Sequence, residues 1–176
     1  MPMNDAKELI ILVDQDDNEI GTGSKLEMHE RGILHRAFSI YIFDAEGKLL
    51  LQKRAASKYH SAGLWANTCC GHQRSGEDTE AAAHRRLQEE MGFDCSLERL
   101  PDTIYRAPLG NGMTEHEYLH VFVGRYDGEP KPAPEEVAEV RRMTLDELEA
   151  DTAAAPERYA AWFPLILPHV RAHLPH

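Results

Sequence analysis

A chain of 176 residues with 42% hydrophobic and 28% charged residues is long enough to bury a core as one domain, and its composition is that of an ordinary globular protein. Its formal net charge of -11 argues against nonspecific binding to nucleic acid, whose phosphates need a basic surface. No apolar run reaches the roughly 18 residues of a membrane span, no signal-peptide pattern opens the chain, and three cysteines, two of them adjacent, do not make a disulfide framework, so a reducing cytoplasm is the expected setting.

Residues 1–7 are polar and expected to be loose. Residues 8–14, dense in Ile, Leu and Val, read as a strand; Asp16, Asp17 and Asn18 turn the chain, and 19–22 return as a second strand. Residues 25–32 are short and mixed; if they are helical, Lys25 and His29 lie on one side. Either residue taken alone is an ordinary surface group. Residues 35–43 are a strand that opens with His35 and sets Phe38, Ile40 and Ile42 on one face. A turn at 44–47 and a return strand at 48–53 complete a hairpin. Residues 54–63 form a loop with Arg54, Lys58 and His60, which by itself means no more than solvated charge. Residues 64–70 read as a strand. Extended as far as His72, it puts Thr68, Cys70 and His72 on one face and leaves Cys69 on the other as buried filler.

A helix follows. Ala83, Leu87 and Met91 recur every four residues as one apolar stripe. Arg86 and Glu90, also four apart, lie beside that stripe and can reach one site; Arg85 and Glu89 pair further round. Gly92 ends the helix. Alone, this helix is a surface element with two salt bridges. Short strands at 95–100 and 103–108 and a turn at 110–113 lead into strict alternation over 115–127. Glu115, Glu117, Leu119, Val121 and Val123 share one face; Tyr118, His120 and Phe122 share the other. Two carboxylates thus open an apolar face. Buried together they repel and lose solvation, so they need a cation or a shared proton. At an exposed strand end both would simply stay wet. A proline-rich connector at 128–134 precedes a strand at 137–143, and Thr144-x-x-Glu147 is a capping box that opens a short helix. The last helix starts at Pro156 and carries Trp162, with Pro164 and Pro168 breaking or kinking it. No internal repeat or boundary appears, so one domain over 1–176 is expected, with its core at about 10–167.

The run Gly71-x5-Glu77-x7-Arg85-Arg86-Leu87-x-Glu89-Glu90-x-Gly92-Phe93 resembles the Nudix box, G-x5-E-x7-R-E-U-x-E-E-x-G-U with U apolar. It departs at Arg86, where hydrolases of that superfamily carry glutamate. With Asn67-Thr68-Cys69-Cys70-Gly71-His72 before it, the stretch is similar to the type I isopentenyl-diphosphate isomerases. These are Nudix-fold enzymes that move a double bond and do not cleave a phosphate. The resemblance implies an α/β (α+β) Nudix fold, a mixed β-sheet sandwiched between α-helices, with the site at the box helix.

The same resemblance implies one divalent ion held by His29, His35, His72, Glu115 and Glu117. Three imidazoles and two carboxylates suit Mn, Zn, Fe or Mg, and the histidines tilt the choice toward a borderline metal. A second cation, Mg, would arrive with a substrate diphosphate and be held by Glu90, while Lys25, Arg54, Lys58 and Arg86 surround the diphosphate oxygens. In place of the box glutamate, Arg86 would turn a water-activating surface into a phosphate clamp. By resemblance, Cys70 and Glu117 transfer the protons that interconvert isopentenyl and dimethylallyl diphosphate, in isoprenoid biosynthesis, through a tertiary carbocation-like intermediate. Tyr105 would hydrogen-bond Glu117, and Trp162 would turn its π face to the cation. Which of Cys70 and Glu117 is the acid, which metal is bound and what the oligomeric state is stay open. The implied partner is a small-molecule diphosphate. Two other functions compete. A Nudix pyrophosphohydrolase of a nucleoside diphosphate derivative conflicts with Arg86 and Cys70-Gly71-His72. A noncatalytic diphosphate sensor would need neither Cys70 nor the Glu115/Glu117 pair.

Overall fold

The computed structural model describes residues 8–58 and 60–175. The predicted loose start over 1–7 lies outside them. Among the described residues, nine strands join one mixed sheet. Strands β1 (Leu9–Val13) and β2 (Glu19–Ser24) form an antiparallel hairpin, and helix α1 (Lys25–Arg31) follows, its start capped by Ser24. Strand β3 (His35–Phe43) is the axis of the sheet. Along one edge it runs parallel to β8 (Met113–Arg125), from His35 opposite Glu117 to Phe43 opposite Arg125. Its other edge is shared by Leu12 of β1, by β6 (Cys69–Gly71) and by the start of β4 (Leu49–Arg54). Strands β5 (Trp65–Ala66) and β9 (Val137–Met143) pair with β4, and β7 (Leu97–Gly110) pairs with β8.

Alternation along these strands builds two cores. Phe38, Ile40, Ile42, Cys69 and Phe122 meet Ala82, Ala83, Leu87 and Met91 of α2 (Thr79–Met91) on one face. Ala37, Tyr41, Phe43, Leu119, Val121 and Val123 meet Leu148 of α3 (Leu145–Ala154) and Phe163, Ile166 and Val170 of α4 (Trp162–His173) on the other. The sheet is therefore sandwiched between helices, as the resemblance implies. Helix α2 begins where Asp78 accepts from Ala81 N at 3.2 Å and ends at Gly92, whose φ of 74° is left-handed. A Cβ at Gly92 would also lie 2.5 Å from Lys131 O.

Three predicted elements differ. The strand predicted over 64–70 is broken in two. Strands β3 and β4 pair at Phe43 and Leu49 and then diverge, and Asn67 and Thr68 fill the gap. Thr68 Oγ1 donates to Leu50 O at 2.6 Å and accepts from Ile42 N at 3.0 Å. Asn67 Nδ2 donates to Ile40 O at 3.1 Å and to Cys69 O at 3.0 Å. These side chains replace the ladder bonds that separated strands cannot make. Thr68 thus sits between strands and does not share a face with Cys70 and His72.

The two strands predicted at 95–100 and 103–108 are one, β7, with a register shift between Leu100 and Thr103. Its outer edge tolerates Pro101, because no ladder bond is needed there. The last helix does not start at Pro156: Pro156–Arg158 is a 3-10 turn. Helix α4 then continues through both prolines. Pro164 lies in the first turn, where an N–H has no helical acceptor to lose. Pro168 does cost a bond, which the buried face of Phe163, Ile166, Leu167 and Val170 offsets. Among the described residues, no helix is long and apolar enough to cross a membrane.

Candidate active site

Ladder register assembles the site. Tyr105 of β7 stands opposite Glu117 of β8, and Glu117 stands opposite His35 of β3. Opposed residues share a face at about 5 Å, within reach of long side chains. Tyr105 O–H accordingly donates to Glu117 Oε1 at 2.5 Å, and His35 Nε2 lies 3.4 Å from Glu117 Oε2. Glu115 is one step along the same face. Helix α1 brings His29 Nε2 to 2.7 Å from Glu115 Oε1, and His35 Nε2 is 3.2 Å from the same oxygen. His72, just past β6, places Nε2 at 3.4 Å from Glu117 Oε2. His29, His35, His72 and Glu115 are all buried, with ligand atoms mutually within 4.8 Å, and Glu117 adjoins them.

These donors fit a cation. His29 Nδ1 is 2.6 Å from Lys25 O, and His35 Nδ1 is 2.9 Å from Ile33 O. A carbonyl only accepts, so Nδ1–H of each ring donates to it and Nε2 is turned toward carboxylate oxygen, where a proton or a metal ion can lie. Both ring nitrogens of His72 and Nε2 of His35 are buried without a hydrogen-bond partner. Burial by itself pushes His35 down, but Glu115 and Glu117 outweigh it and lift the imidazole to about 10. Burial likewise pushes Glu117 up, yet His35 and His72 hold it well below the usual carboxylate range. At His72 burial wins and the ring is lowered. A divalent ion satisfies all of these groups at once.

Cys70 stands opposite Ser39. Its Sγ donates to Asn67 Oδ1 at 3.3 Å and lies 3.5 Å from Ser39 Oγ. Burial pushes the thiol up to about 12, so it is protonated at neutral pH. Asn67 spends its N–H groups on Ile40 and Cys69, which leaves Oδ1 to accept from both Cys70 and Trp162 Nε1, the latter at 3.4 Å. Trp162 is buried in the first turn of α4. Arg54 lies over its ring at 5.3 Å from the centroid, and the His60 ring is T-shaped to it at 6.0 Å. In sequence Asn67 stands only as the first residue of the stretch Asn67–His72, with no role of its own, and nothing marks the loop histidine His60 as part of a site. Their placement follows from the divergence of β3 and β4 and from the packing of α4.

Lys25, Arg54, Lys58 and Arg86 line the same cleft as Cys70, Glu117 and Trp162, a space of about 700 Å³. Glu90 does not join the His/Glu group. It is buried at the cationic end, accepting from Gln52 Nε2 at 3.0 Å and pairing with Arg86. Arg86 also meets Glu89 at 2.8 Å and Glu136 at 3.6 Å, and Lys58 Nζ donates to Glu136 at 2.8 Å. Glu136, between the proline-rich connector and β9, carries no sequence signal of its own. Lys25 is 3.7 Å from Glu8.

The cleft reaches the box helix, α2, at its cationic end. Glu115 and Glu117 have the parity of Leu119 and Val121, so they and Cys70 lie on the face covered by α4. Helix α2 covers the opposite face and reaches the cleft only through Arg86, Glu89 and Glu90. Asp17, Asp102 and His120 also come within 4.8 Å of one another. There Arg36 holds Asp17 at 2.6 Å and Arg99 holds Asp102 at 2.8 Å, so two guanidinium groups already supply the positive charge.

The NUDIX domain family matches residues 33–163. The chain is 55% identical over 160 residues to Isopentenyl-diphosphate Delta-isomerase 2 of Photorhabdus laumondii, covering 91% of this chain and 90% of that one. It is 51% identical over 166 residues to Isopentenyl-diphosphate Delta-isomerase of Serratia proteamaculans, covering 94% and 93%. Among solved structures, the crystal structure of a Deinococcus radiodurans protein matches with a TM-score of 0.77 at 20% identity, covering 92% of this chain and 98% of that one. The MutT protein from Methanosarcina mazei matches at 0.65 and 18%, covering 79% and 94%. At such identities the structural likeness carries the fold alone. The sequence relatives carry more, since half of all residues agree over nine-tenths of both chains. The chain belongs to the isopentenyl-diphosphate Delta-isomerase family, built on the NUDIX fold.

Proposed function

We propose that this protein interconverts isopentenyl diphosphate and dimethylallyl diphosphate by adding a proton at one carbon and removing one at another. One observation carries the reading. A protonated thiol, Cys70, and an ionised carboxylate, Glu117, line one cleft with Lys25, Arg54, Lys58 and Arg86. That set suits a substrate anionic at one end and proton-exchanging at the other. In the forward direction a proton adds to the terminal methylene, tertiary cation character develops at C3, and a proton leaves C2 to make the new double bond. One proton enters and one leaves, so the balance closes with an acid and a base alone. Cys70 and Glu117 take those two roles.

Tyr105 fixes the Glu117 carboxylate through its 2.5 Å hydrogen bond. The Trp162 indole, held by Asn67, offers a π face worth about 2 kcal/mol or more to a desolvated cation. Arg54 lies 5.3 Å from the centroid of that indole, so the diphosphate clamp and the π face are neighbours. Bound among His29, His35, His72, Glu115 and Glu117, an ion of Mn, Zn or Mg would supply the positive charge that keeps Glu117 ionised, the imidazoles favouring Mn or Zn. Glu90 would hold Mg carried by the diphosphate. Hydrolysis is disfavoured, because Arg86 pairs with Glu90 where a hydrolase has another carboxylate. The cytoplasm suits the reaction, since Cys70 must stay a thiol. All of these residues serve one sheet, and we take the chain as a single catalytic domain.

The test is isopentenyl diphosphate with divalent metal in deuterated water, read for isomer, label and free phosphate. We expect dimethylallyl diphosphate with deuterium in its new methyl group and no phosphate release. Unlabelled product at full rate, or phosphate without isomer, would sink the proposal.

A further inference from the structure

We infer that Glu136 makes the cationic end of the cleft selective for a magnesium-complexed diphosphate over the metal-free anion. The inference rests on the diphosphate reading above and adds a specificity-determining residue to it.

Lys58 and Arg86 do not form an open anion hole. Glu136 sits between them, with Oε2 accepting from Lys58 Nζ at 2.8 Å and Oε1 lying 3.6 Å from Arg86. The three side chains are only 11% to 22% exposed, so this charge is poorly screened. The carboxylate is also anchored. Glu136 O accepts from Ala55 N at 3.0 Å, and Glu136 N donates to Ala133 O at 3.0 Å. Ala133 N in turn donates to Glu90 O at 2.8 Å, which ties the connector to the end of α2. The next residue, Val137, is buried and starts β9. Main-chain retreat of Glu136 would thus disturb α2, β9 and the Lys58 loop together.

Among the carboxylates that line this end of the cleft, Glu136 and Glu90 are the least exposed of those paired with a clamp cation. A metal-free diphosphate would have to break those pairs and press its oxygens against both carboxylates. Magnesium reverses the sign of that contact, because hard carboxylate oxygens are the ligands it prefers. The residues that repel the bare anion then attract the complex. Like-charge contact acts here against the wrong ligand form.

The experiment is calorimetric binding of inorganic pyrophosphate, with and without Mg²⁺, to the wild type, Glu136→Gln and Glu135→Gln. Glutamine keeps the shape and can still accept from Lys58. Glu135 is the exposed neighbour on the same cleft, and its change removes the same formal charge. For Glu136→Gln we expect metal-free pyrophosphate to bind roughly tenfold tighter and the magnesium complex several-fold weaker, so the preference collapses. Glu135→Gln should keep the wild-type preference. An equal shift in both variants would mean a diffuse field effect, and equal weakening of both ligand forms in Glu136→Gln would mean that Glu136 merely props Lys58. Either result overturns the inference. If Glu136→Gln melts early, Glu136→Asp serves instead: it keeps the charge and should keep the magnesium preference, and its loss there would also overturn the inference. Wild-type binding of magnesium pyrophosphate tests the diphosphate reading separately, and isomerisation is not measured in any arm.

Discussion

Cys69 and Cys70 are adjacent, yet the strand turns them to opposite faces. Cys69 is fully buried against α2 among Phe38, Ile40 and Leu87. Cys70 faces the cleft and donates to Asn67. Cys70→Ala should therefore cut turnover about 100 to 10,000-fold, the span of a general acid or base. Cys69→Ala should cost about 1 kcal/mol of stability and little activity. Steady-state kinetics with a denaturation curve decide it, and a reversed pattern would hand the chemistry to Cys69. Glu77 behaves differently. Arg85, through hydrogen bonds at 2.8 Å, holds its carboxyl at about 2 against an ordinary 4.5. A carboxyl lowered on folding stabilises fully above the unfolded value and loses that contribution as pH falls through the folded one. Glu77→Gln should thus melt below the wild type at neutral pH, with the gap closing between about 4.5 and about 2. A gap independent of pH would show that the ion pair contributes nothing.

The wedge between β3 and β4 is the element that turns sheet geometry into chemistry. Thr68 and Asn67 both repair the gap, but only Asn67 also touches Cys70 and Trp162. Thr68→Val keeps the shape and strands Ile42 N and Leu50 O, so about 2 kcal/mol of stability should be lost with kinetics intact. Asn67→Ala should lose stability in the same way and, in addition, turnover at saturating substrate, because the thiol and the indole lose their shared acceptor. Equal kinetic damage from both changes would mean that the wedge acts as a whole and Asn67 has no separate positioning role.

For the molecule as a whole, the His/Glu group is a junction. Helix α1, β3, the end of β6 and β8 each contribute to it, so a cation there ties distant parts of the chain together. A ligand bound only by the folded state stabilises it by mass action. Chelation should therefore lower the melting temperature, and His72→Ala or Glu115→Gln should fold, lose bound metal in elemental analysis and lose the response to chelator. Unchanged metal content in both variants would remove the site as drawn.

Several features were readable from near neighbours alone. The four-residue stripe Ala83, Leu87, Met91 and the terminal Gly92 mark out α2, which runs Thr79–Met91 with Gly92 as its cap. The capping box at Thr144 and Glu147 is present as written. The alternation that sets Glu115 and Glu117 beside Leu119 holds through β8. All of these depend on backbone periods of two or about four residues, which lie within one element. The position of the site relative to the box helix does not depend on such a period. Alternation divides a strand into two faces but does not say which helix covers each, because that depends on the apolar volume packed on either side. The break at Asn67, the placement of Glu136 beside Lys58 and the His35–Glu117 register come from pairings between segments tens of residues apart. Those pairings form only when the competing edges of β3 are filled by β1, β4, β6 and β8 together, a condition no single stretch of the chain can express.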